Sequence, residues 1–182
     1  CTMADESSML LSFTNAPAAY AGVDYTICEG ANINITTATA SEYQTIFWST
    51  SGSGMFLNGN TLTPTYIPSA LDITSGIVSL TLTATAYAPC AVPATDAMMV
   101  TIHQAPQVFA GDDTSVCPPD QYTTLTATAA NYTHLLWSTN GTGTFTDPTA
   151  LVTVYSPSSA DISNGSVTLN LTAYANAPCV SV

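Results

Sequence analysis

The chain has 182 residues, no Lys or Arg, 12 acidic residues and a formal net charge of −12. Without basic side chains it cannot neutralise phosphates, which argues against binding to nucleic acid or to an anionic membrane surface. Glu and Gln are scarce, while Thr, Ser, Val, Ile and Tyr lie in short runs broken by Gly, Pro and Asn, which predicts an all-β protein.

A repeat with a period of 89 residues organises the sequence. Cys28 recurs as Cys117, and Trp48 recurs as Trp137, without a gap. Such a period is typical of a tandem array in which each repeat is one structural unit. The expected parts are residues 1–16, the closing strand of a preceding repeat; residues 17–105, a complete repeat; and residues 106–182, a repeat that lacks its closing strand.

Residues 16–22 and 105–111 join successive repeats. Each segment carries Pro, an aromatic residue and Gly at the same positions, so we expect a semi-rigid joint and a rod of modules. Within the complete repeat, Val78, Leu80 and Leu82 alternate with polar residues, which predicts a strand with one buried face. Seven strands are predicted in all, near residues 24–27, 32–39, 43–50, 54–57, 61–67, 77–87 and 96–103.

The predicted architecture is a tandem array of immunoglobulin-like β-sandwiches. Seven short strands around one tryptophan are typical of such a sandwich, and we place Trp48 and Trp137 in the two cores. Ile33 and Ile35 fall one residue out of register with Leu125 of the second copy. A β-bulge in one copy would reconcile the two patterns.

The five cysteines occupy only two positions of the repeat. Recurrence in frame predicts a disulfide within each repeat, from Cys28 to Cys90 and from Cys117 to Cys179, with Cys1 bonded to a cysteine outside this sequence. Metal ligation is the alternative, but no CxxC spacing occurs. Disulfides indicate an oxidising, extracellular compartment.

Three acidic residues follow the joints between repeats. Asp24, Asp112 and Asp113 would bind Ca²⁺ at a module junction if carboxylates from adjoining repeats converged there. Capping of turns by these side chains is the alternative, because only one of the aspartates recurs. No other cofactor is expected.

The sequence contains no pattern that indicates an enzyme. Neither His103 nor His134 belongs to the repeated design, and no nucleophile has a base and an orienting group nearby in a recognisable motif. The Gly-rich segments 51–54 and 140–143 run from strand to strand, so they are predicted to be hairpin turns rather than phosphate-binding loops.

Several segments together resemble the repeats of the SprB-type gliding adhesins of Bacteroidota. They are AGVDYTICEG (21–30), WSTSGSG (48–54), PTYIPSALDI (64–73) and VSLTLTA (78–84). The resemblance implies very large surface proteins, exported by the type IX system and moved along the cell surface by the gliding machinery. The second copy departs from this pattern where residues 117–120, CPPD, lack the Glu-Gly of the first copy.

Two functions from different classes are compatible with the sequence. A structural stalk of an extracellular adhesin or filament is favoured by the repetition and the cysteines; its partners would be neighbouring repeats of the chain and other adhesin copies. A module that binds surface glycans or proteins is the alternative, with Tyr43, Phe47, Tyr87 and Tyr132 as its aromatic platform. Direct insertion into a membrane is not expected.

The first residues of the chain align with the strand that would follow Val182. Residues 9–13 correspond to residues 98–102 of the complete repeat. We therefore expect a continuous array, in which residues 1–16 pair with a preceding repeat. In the alternative, the opening segment of one molecule would complete the last repeat of another, as in donor-strand assembly.

Overall fold

The computed structural model describes residues 4–117 and 119–180, so the predicted bond of Cys1 lies outside the described residues. Most elements of the first repeat are short, as its frequent Gly, Pro and Asn predict. They are β1 (Ala18–Tyr20), β2 (Tyr25–Cys28), β3 (Ile33–Asn34), β4 (Thr39–Ser41), β5 (Tyr43–Thr50), β6 (Met55–Leu57), β7 (Thr65–Ile67), α1 (Ala70–Ser75), β8 (Ile77–Ala86) and β9 (Ala94–His103).

The second repeat follows the same order up to the residues that correspond to β8. Its elements are β10 (Gln107–Phe109), β11 (Tyr122–Thr123), β12 (Thr128–Ala130), β13 (Tyr132–Thr139), β14 (Thr144–Phe145), β15 (Val154–Ser156), α2 (Ser159–Asn164) and β16 (Leu169–Ala175).

The fold is an all-β, immunoglobulin-like sandwich, as predicted. In the first repeat the strand orders are β2-β9-β8-β5, β3-β7-β6 and β1-β4. In the second repeat they are β13-β16, β11-β15-β14 and β10-β12. The strands of each repeat are thus divided among separate sheets, although β6 and β7, like β8 and β9, are sequential neighbours within one sheet. Each repeat buries the inner faces of its sheets against one another.

By spatial contacts, the chain forms two compact units. The first comprises the residues up to Tyr25 together with Asn32–Ser69 and Val78–Met99. The second comprises Thr26–Ala31, Ala70–Ile77 and the residues from Val100 onward.

In the first unit, the core contains the buried face of β8 and the tryptophan of β5. Val78, Leu80 and Leu82 are buried, as their alternation predicts. Trp48 is 7% exposed, and its indole Nε1 donates a hydrogen bond to the carbonyl oxygen of Thr61 at 3.0 Å. Phe56 contacts Trp48, with the ring centroids 5.8 Å apart.

The core of the second unit is built around Trp137, which is 3% exposed. Its Nε1 donates a hydrogen bond to the carbonyl oxygen of Ala150 at 3.1 Å, the counterpart of the bond that Trp48 makes. A chain of aromatic contacts joins Trp137 to Phe145 and Phe145 to Tyr155. Ala127, Leu135, Leu171 and Ala173 complete the buried cluster.

The segments predicted as joints contain strands. Ala18–Tyr20 pairs antiparallel with Thr39–Ser41, and Gln107–Phe109 pairs in the same way with Thr128–Ala130. Pro17 and Pro106 precede these strands, where a missing N–H breaks no ladder. The residues after each proline are therefore part of the sandwich.

The predicted bulge near Ile33 and Ile35 is absent. Thr124 is the residue that corresponds to Ile35, and both are buried, whereas Leu125 is 74% exposed. The buried Thr124 hydroxyl donates to the carbonyl oxygen of Leu151 at 3.1 Å, so a polar residue takes the core position without loss of a hydrogen bond. The hydrophobic pattern misled because this core position is polar in one copy. Register irregularities lie instead on β5 and β13.

The Gly-rich segments are not hairpin turns, which corrects a second prediction. Residues 51–54 join β5 to β6 and residues 140–143 join β13 to β14, yet the two strands of each pair lie in different sheets. The segments are therefore crossings from one sheet to the other. A hairpin and a crossing both need glycine, so the sequence pattern alone does not distinguish them.

The opening segment forms no regular element over residues 4–17. The side chains of Met9, Leu10 and Phe13 are 84%, 91% and 87% exposed. A strand needs a neighbouring strand for its backbone groups, and within the described residues none pairs with this segment.

Candidate functional site

The disulfide pairing differs from the prediction. Cys28 is bonded to Cys179, with the Cα atoms 4.9 Å apart, and Cys90 and Cys117 are free thiols. Both bonded cysteines belong to the second compact unit. The predicted pairs Cys28–Cys90 and Cys117–Cys179 are therefore wrong. Recurrence of cysteines in frame identifies equivalent positions, but it does not show in which repeat the partner of a given cysteine lies.

The end of β9 brings the two bonded cysteines together. The carbonyl oxygen of His103 accepts a hydrogen bond from the backbone N–H of Glu29 at 2.8 Å, and the Sγ of Cys179 lies 3.4 Å from the same oxygen. One backbone group thus contacts the chain next to Cys28 and also Cys179 itself. The bond joins the first cysteine position of one repeat to the second cysteine position of the next.

The free thiol of Cys90 has the surroundings of Cys179. Its Sγ lies 3.2 Å from the carbonyl oxygen of Thr14, and Thr14 corresponds to His103 in the repeat. Cys117 corresponds to Cys28 and is exposed. The two free thiols are therefore the same two repeat positions that are bonded in the pair Cys28–Cys179.

A buried carboxylate organises the sheet crossing of the second repeat. Asp161 Oδ1 accepts a hydrogen bond from the backbone N–H of Thr142, and Oδ2 accepts from the N–H of Ser158 and from the Tyr155 hydroxyl, at 2.8 to 2.9 Å. Ser158 caps helix α2 and returns a bond by accepting from the Asp161 N–H at 3.1 Å. Asp161 therefore ties the helix to the crossing segment and to the core tyrosine.

These hydrogen bonds shift the ionisation of the network. The backbone N–H groups of Ser158 and Thr142 stabilise the carboxylate and hold the pKa of Asp161 well below its usual range. Burial raises the pKa of Tyr155, whose hydroxyl serves as a donor to that carboxylate. The network is thus a charged, fully paired structural element.

The glycines of residues 140–143 leave room for this network. A Cβ on Gly141 would collide with the Asp161 carboxylate and with Val167, and a Cβ on Gly143 would collide with Tyr155 and with the Ser156 carbonyl. The Gly-x-Gly pattern is therefore a packing requirement. This reason explains the pattern without a ligand.

The three aspartates considered for Ca²⁺ do not form a ligand cluster. Asp24 accepts a hydrogen bond from the backbone N–H of Met99 at 2.7 Å, which is a capping role. Asp112 and Asp113 are exposed. Among residues 4–117 and 119–180, no three His, Cys, Asp or Glu side chains converge as metal ligands.

The two histidines lie on strands, where His134 is exposed and His103 is half-buried. His134 stacks on Tyr174 with the ring centroids 4.1 Å apart, and its Nδ1 lies 3.0 Å from the Thr133 hydroxyl. His103 lies at the end of β9.

The aromatic residues of the alternative binding platform differ in exposure. Phe47 and Tyr87 are 47% and 48% exposed, and Tyr132 is 37% exposed. Tyr43 is half-buried at the start of β5. Leu136 and Asn176 take the places of Phe47 and Tyr87 in the second repeat, so the two repeats do not present the same aromatic surface.

A cavity of about 380 Å³ opens in the second unit. Trp137, Tyr122 and Leu169 form its apolar wall, and Asp112 and Asp113 lie at its rim. Its remaining lining residues are Ala110, Gly111, Thr114, Val116, Ser166 and Val167.

Comparisons with known proteins give a likeness in fold. No protein-family model and no curated protein matches the chain. Extracellular cadherin domains 3–6 of protocadherin gamma B2 match 91% of the chain with a TM-score of 0.50 at 16% identity, and the chain spans 45% of that structure. The D00–D0 domain of intimin matches 91% of the chain and is itself 95% covered, with a TM-score of 0.48 at 14% identity.

At these identities the likeness concerns the sandwich fold alone. Within the described residues, the two helices are six residues each, too short to cross a bilayer.

Proposed function

We propose that the chain is a structural stalk segment of a long cell-surface adhesin or filament in the extracellular space. The observation that carries this proposal is the bond between Cys28 and Cys179. It joins the first cysteine position of one repeat to the second cysteine position of the following repeat. A covalent bond across successive repeats limits how far the chain extends when one of them opens. That property suits a segment that transmits force more than a segment that turns over a substrate.

The domain organisation that we propose follows the repeat. Residues 17–105 and 106–182 are successive modules of the array, and residues 1–16 belong to a preceding one. Neighbouring repeats of the same kind are then the principal partners of each module. A disulfide such as Cys28–Cys179 persists in an oxidising compartment, which supports the extracellular location.

The resemblance of four sequence segments to the SprB-type repeats extends the proposal to gliding motility in Bacteroidota. In that case the parent protein is a type IX-secreted surface adhesin, and this chain serves surface attachment or movement through its length. Other adhesin copies are additional partners.

A carbohydrate- or protein-binding module is the second candidate. The observation in its favour is the exposure of Phe47 and Tyr87, at 47% and 48%. Against it, these residues are replaced in the second repeat by Leu136 and Asn176. A repeated ligand site would need the same platform in both copies.

Antibody fragments raised against the purified chain test the proposal on the cells that produce the parent protein. For a stalk, the fragments label intact cells without permeabilisation and leave attachment to glass nearly unchanged. Fragments that label only permeabilised cells contradict the surface location. Fragments that block attachment, together with glycan-array binding lost in a Phe47→Ala and Tyr87→Ala double variant, favour the second candidate.

A further inference from the structure

A cleft lies in the first unit, between the first half of β5 and the segment that follows β6. Residues 43–46 form one arm and residues 60–62 form the other, and the cleft between them has a volume of about 550 Å³. Binding sites for small molecules typically have volumes of about 300–1,000 Å³. All of these residues belong to the complete repeat and to the first compact unit, so the cleft does not depend on either end of the chain.

Contacts with the core hold the second arm in place. The backbone N–H of Trp48 donates a hydrogen bond to the carbonyl oxygen of Gly59 at 2.8 Å, and its indole Nε1 donates to the carbonyl oxygen of Thr61 at 3.0 Å. The Thr61 N–H and hydroxyl both donate to the carbonyl oxygen of Asn58, at 3.0 and 2.9 Å. The cleft is therefore preformed, which lowers the entropic cost of binding a ligand.

An irregularity of β5 builds the apolar side of the cleft. In a regular strand, residues three positions apart point to opposite faces. The register against β8 shifts between Tyr43 and Ile46, so that both residues pair with positions on one face of β8 and both line the cleft. Ile46 is 7% exposed, and Tyr43 and Leu62 are half-buried. An aromatic ring thus lies beside two aliphatic side chains.

Each arm also carries one exposed side-chain amide. Gln44 lies on the β5 arm and Asn60 on the other. Neither amide makes a hydrogen bond within the part of the chain that the structure describes. A side-chain amide has two N–H donors and an acceptor oxygen, so the cleft offers donors and acceptors from both sides.

The second repeat uses the same two positions differently. Threonines replace both amides there. The hydroxyl of Thr133 donates to the carbonyl oxygen of Tyr174 at 2.9 Å, and the hydroxyl of Thr149 donates to the carboxylate of Asp147 at 2.7 Å. The polar groups at these positions therefore stabilise the fold in the second repeat, whereas in the first repeat they are left for a ligand.

Charge and shape restrict the ligand class. The chain has no Lys or Arg, and the exposed Glu42 directly precedes the cleft, so an anionic ligand would meet repulsion without a compensating cation. An extended peptide would need a path along β5, and the hydrogen bond between Trp48 and Gly59 closes that path. A neutral sugar ring has an apolar face of C–H groups for an aromatic side chain and hydroxyls that both donate and accept.

We propose that the cleft between residues 43–46 and 60–62 binds a neutral oligosaccharide. Tyr43 packs against the apolar face of one sugar ring, and Gln44 and Asn60 form hydrogen bonds with its hydroxyl groups from the two arms. The site lies on the first repeat alone. It gives the second candidate function a site and a ligand class without the exposed Phe47 and Tyr87, and it does not rest on the stalk role.

A titration followed by nuclear magnetic resonance tests the proposal with the whole isotope-labelled chain. The neutral probes are maltotriose, cellotriose and laminaritriose, and sialyllactose is the anionic probe. At millimolar concentration, at least one neutral trisaccharide should give saturable shifts of the amide resonances of residues 43–46 and 60–62. Sialyllactose should give none. The purified chain is used, so the result is independent of the surface-labelling test of the stalk.

Substitutions on the two arms assign the binding to the cleft. Gln44 and Asn60 are exposed, so Gln44→Ala and Asn60→Ala leave the sandwich folded, and each should raise Kd about fivefold or more through the loss of a hydrogen bond. Tyr43→Ala should abolish saturable binding. Phe47→Ala is the matched control, because Phe47 is an exposed aromatic residue of the same strand outside the cleft, and it should keep Kd within about twofold.

Four outcomes would overturn the proposal. One is the absence of saturable shifts with all of the neutral trisaccharides. Another is an unchanged Kd in both Gln44→Ala and Asn60→Ala. The third is an equal loss of affinity in Phe47→Ala, which would place the binding on the exposed aromatic surface. The last is a threonine-rich hexapeptide that shifts the cleft resonances while the sugars do not.

Discussion

Loss of the bond between Cys28 and Cys179 should destabilise the second unit by about 5 kcal/mol. A crosslink removes loop-closure entropy from the unfolded chain in proportion to the logarithm of the loop length, and a separation of 151 residues corresponds to about 5 kcal/mol at 25 °C. At a urea dependence of roughly 2 kcal/mol per M, the unfolding midpoint should fall by about 2.5 M in Cys28→Ser.

Fluorescence of Trp137 reports this transition, because Trp137 is buried in the unit that holds both cysteines. A Trp48→Phe background removes the other indole. Cys90→Ser is the matched control, since Cys90 is a free thiol, and it should keep the parental midpoint. The reasoning is refuted if Cys28→Ser keeps that midpoint, or if nonreduced peptide mapping recovers Cys28 bonded to Cys90.

Three further predictions concern the core, the carboxylate network and the composition. Trp48→Ala should lower the free energy of unfolding by about 3–5 kcal/mol, because it empties a buried site and leaves the Thr61 carbonyl without its indole donor. An unchanged urea midpoint would contradict this prediction. So would fluorescence emission of Trp48 in the native protein that resembles that of free indole. The lowered pKa of Asp161 means that its carboxylate stabilises the folded state above the unfolded pKa of about 3.9, and that this stability is lost as the pH falls through the acid range. Asp161→Asn should therefore be less stable at pH 7 and lose less stability on acidification than the Asp112→Asn control, as followed by thermal unfolding at several pH values; parallel curves for the two variants would refute the assignment. The reduced, denatured chain should resist trypsin, because it contains no Lys or Arg, and any tryptic cleavage within it would mean that the sequence is misassigned.

Local pattern determined the strand content. Val78, Leu80 and Leu82 alternate with polar residues, and only an extended strand places all three apolar side chains on one face. The strand β8 was therefore predictable from the sequence. β5 was likewise predicted with its observed bounds, Tyr43–Thr50. The absence of Lys and Arg also argues, without any structure, against electrostatic binding to polyanions.

Contacts between distant residues were decided only by the tertiary structure. The repeat shows that Cys90 and Cys179 occupy equivalent positions, but it does not show which of the two lies next to Cys28 in the folded chain. In the same way, residues 140–143 read as a turn, but only the folded chain shows that they cross between sheets against Asp161. Periodicity reports the face on which a side chain lies, because it reflects the geometry of one strand. Partners far apart in sequence depend on how several strands pack, and that is a property of the whole chain.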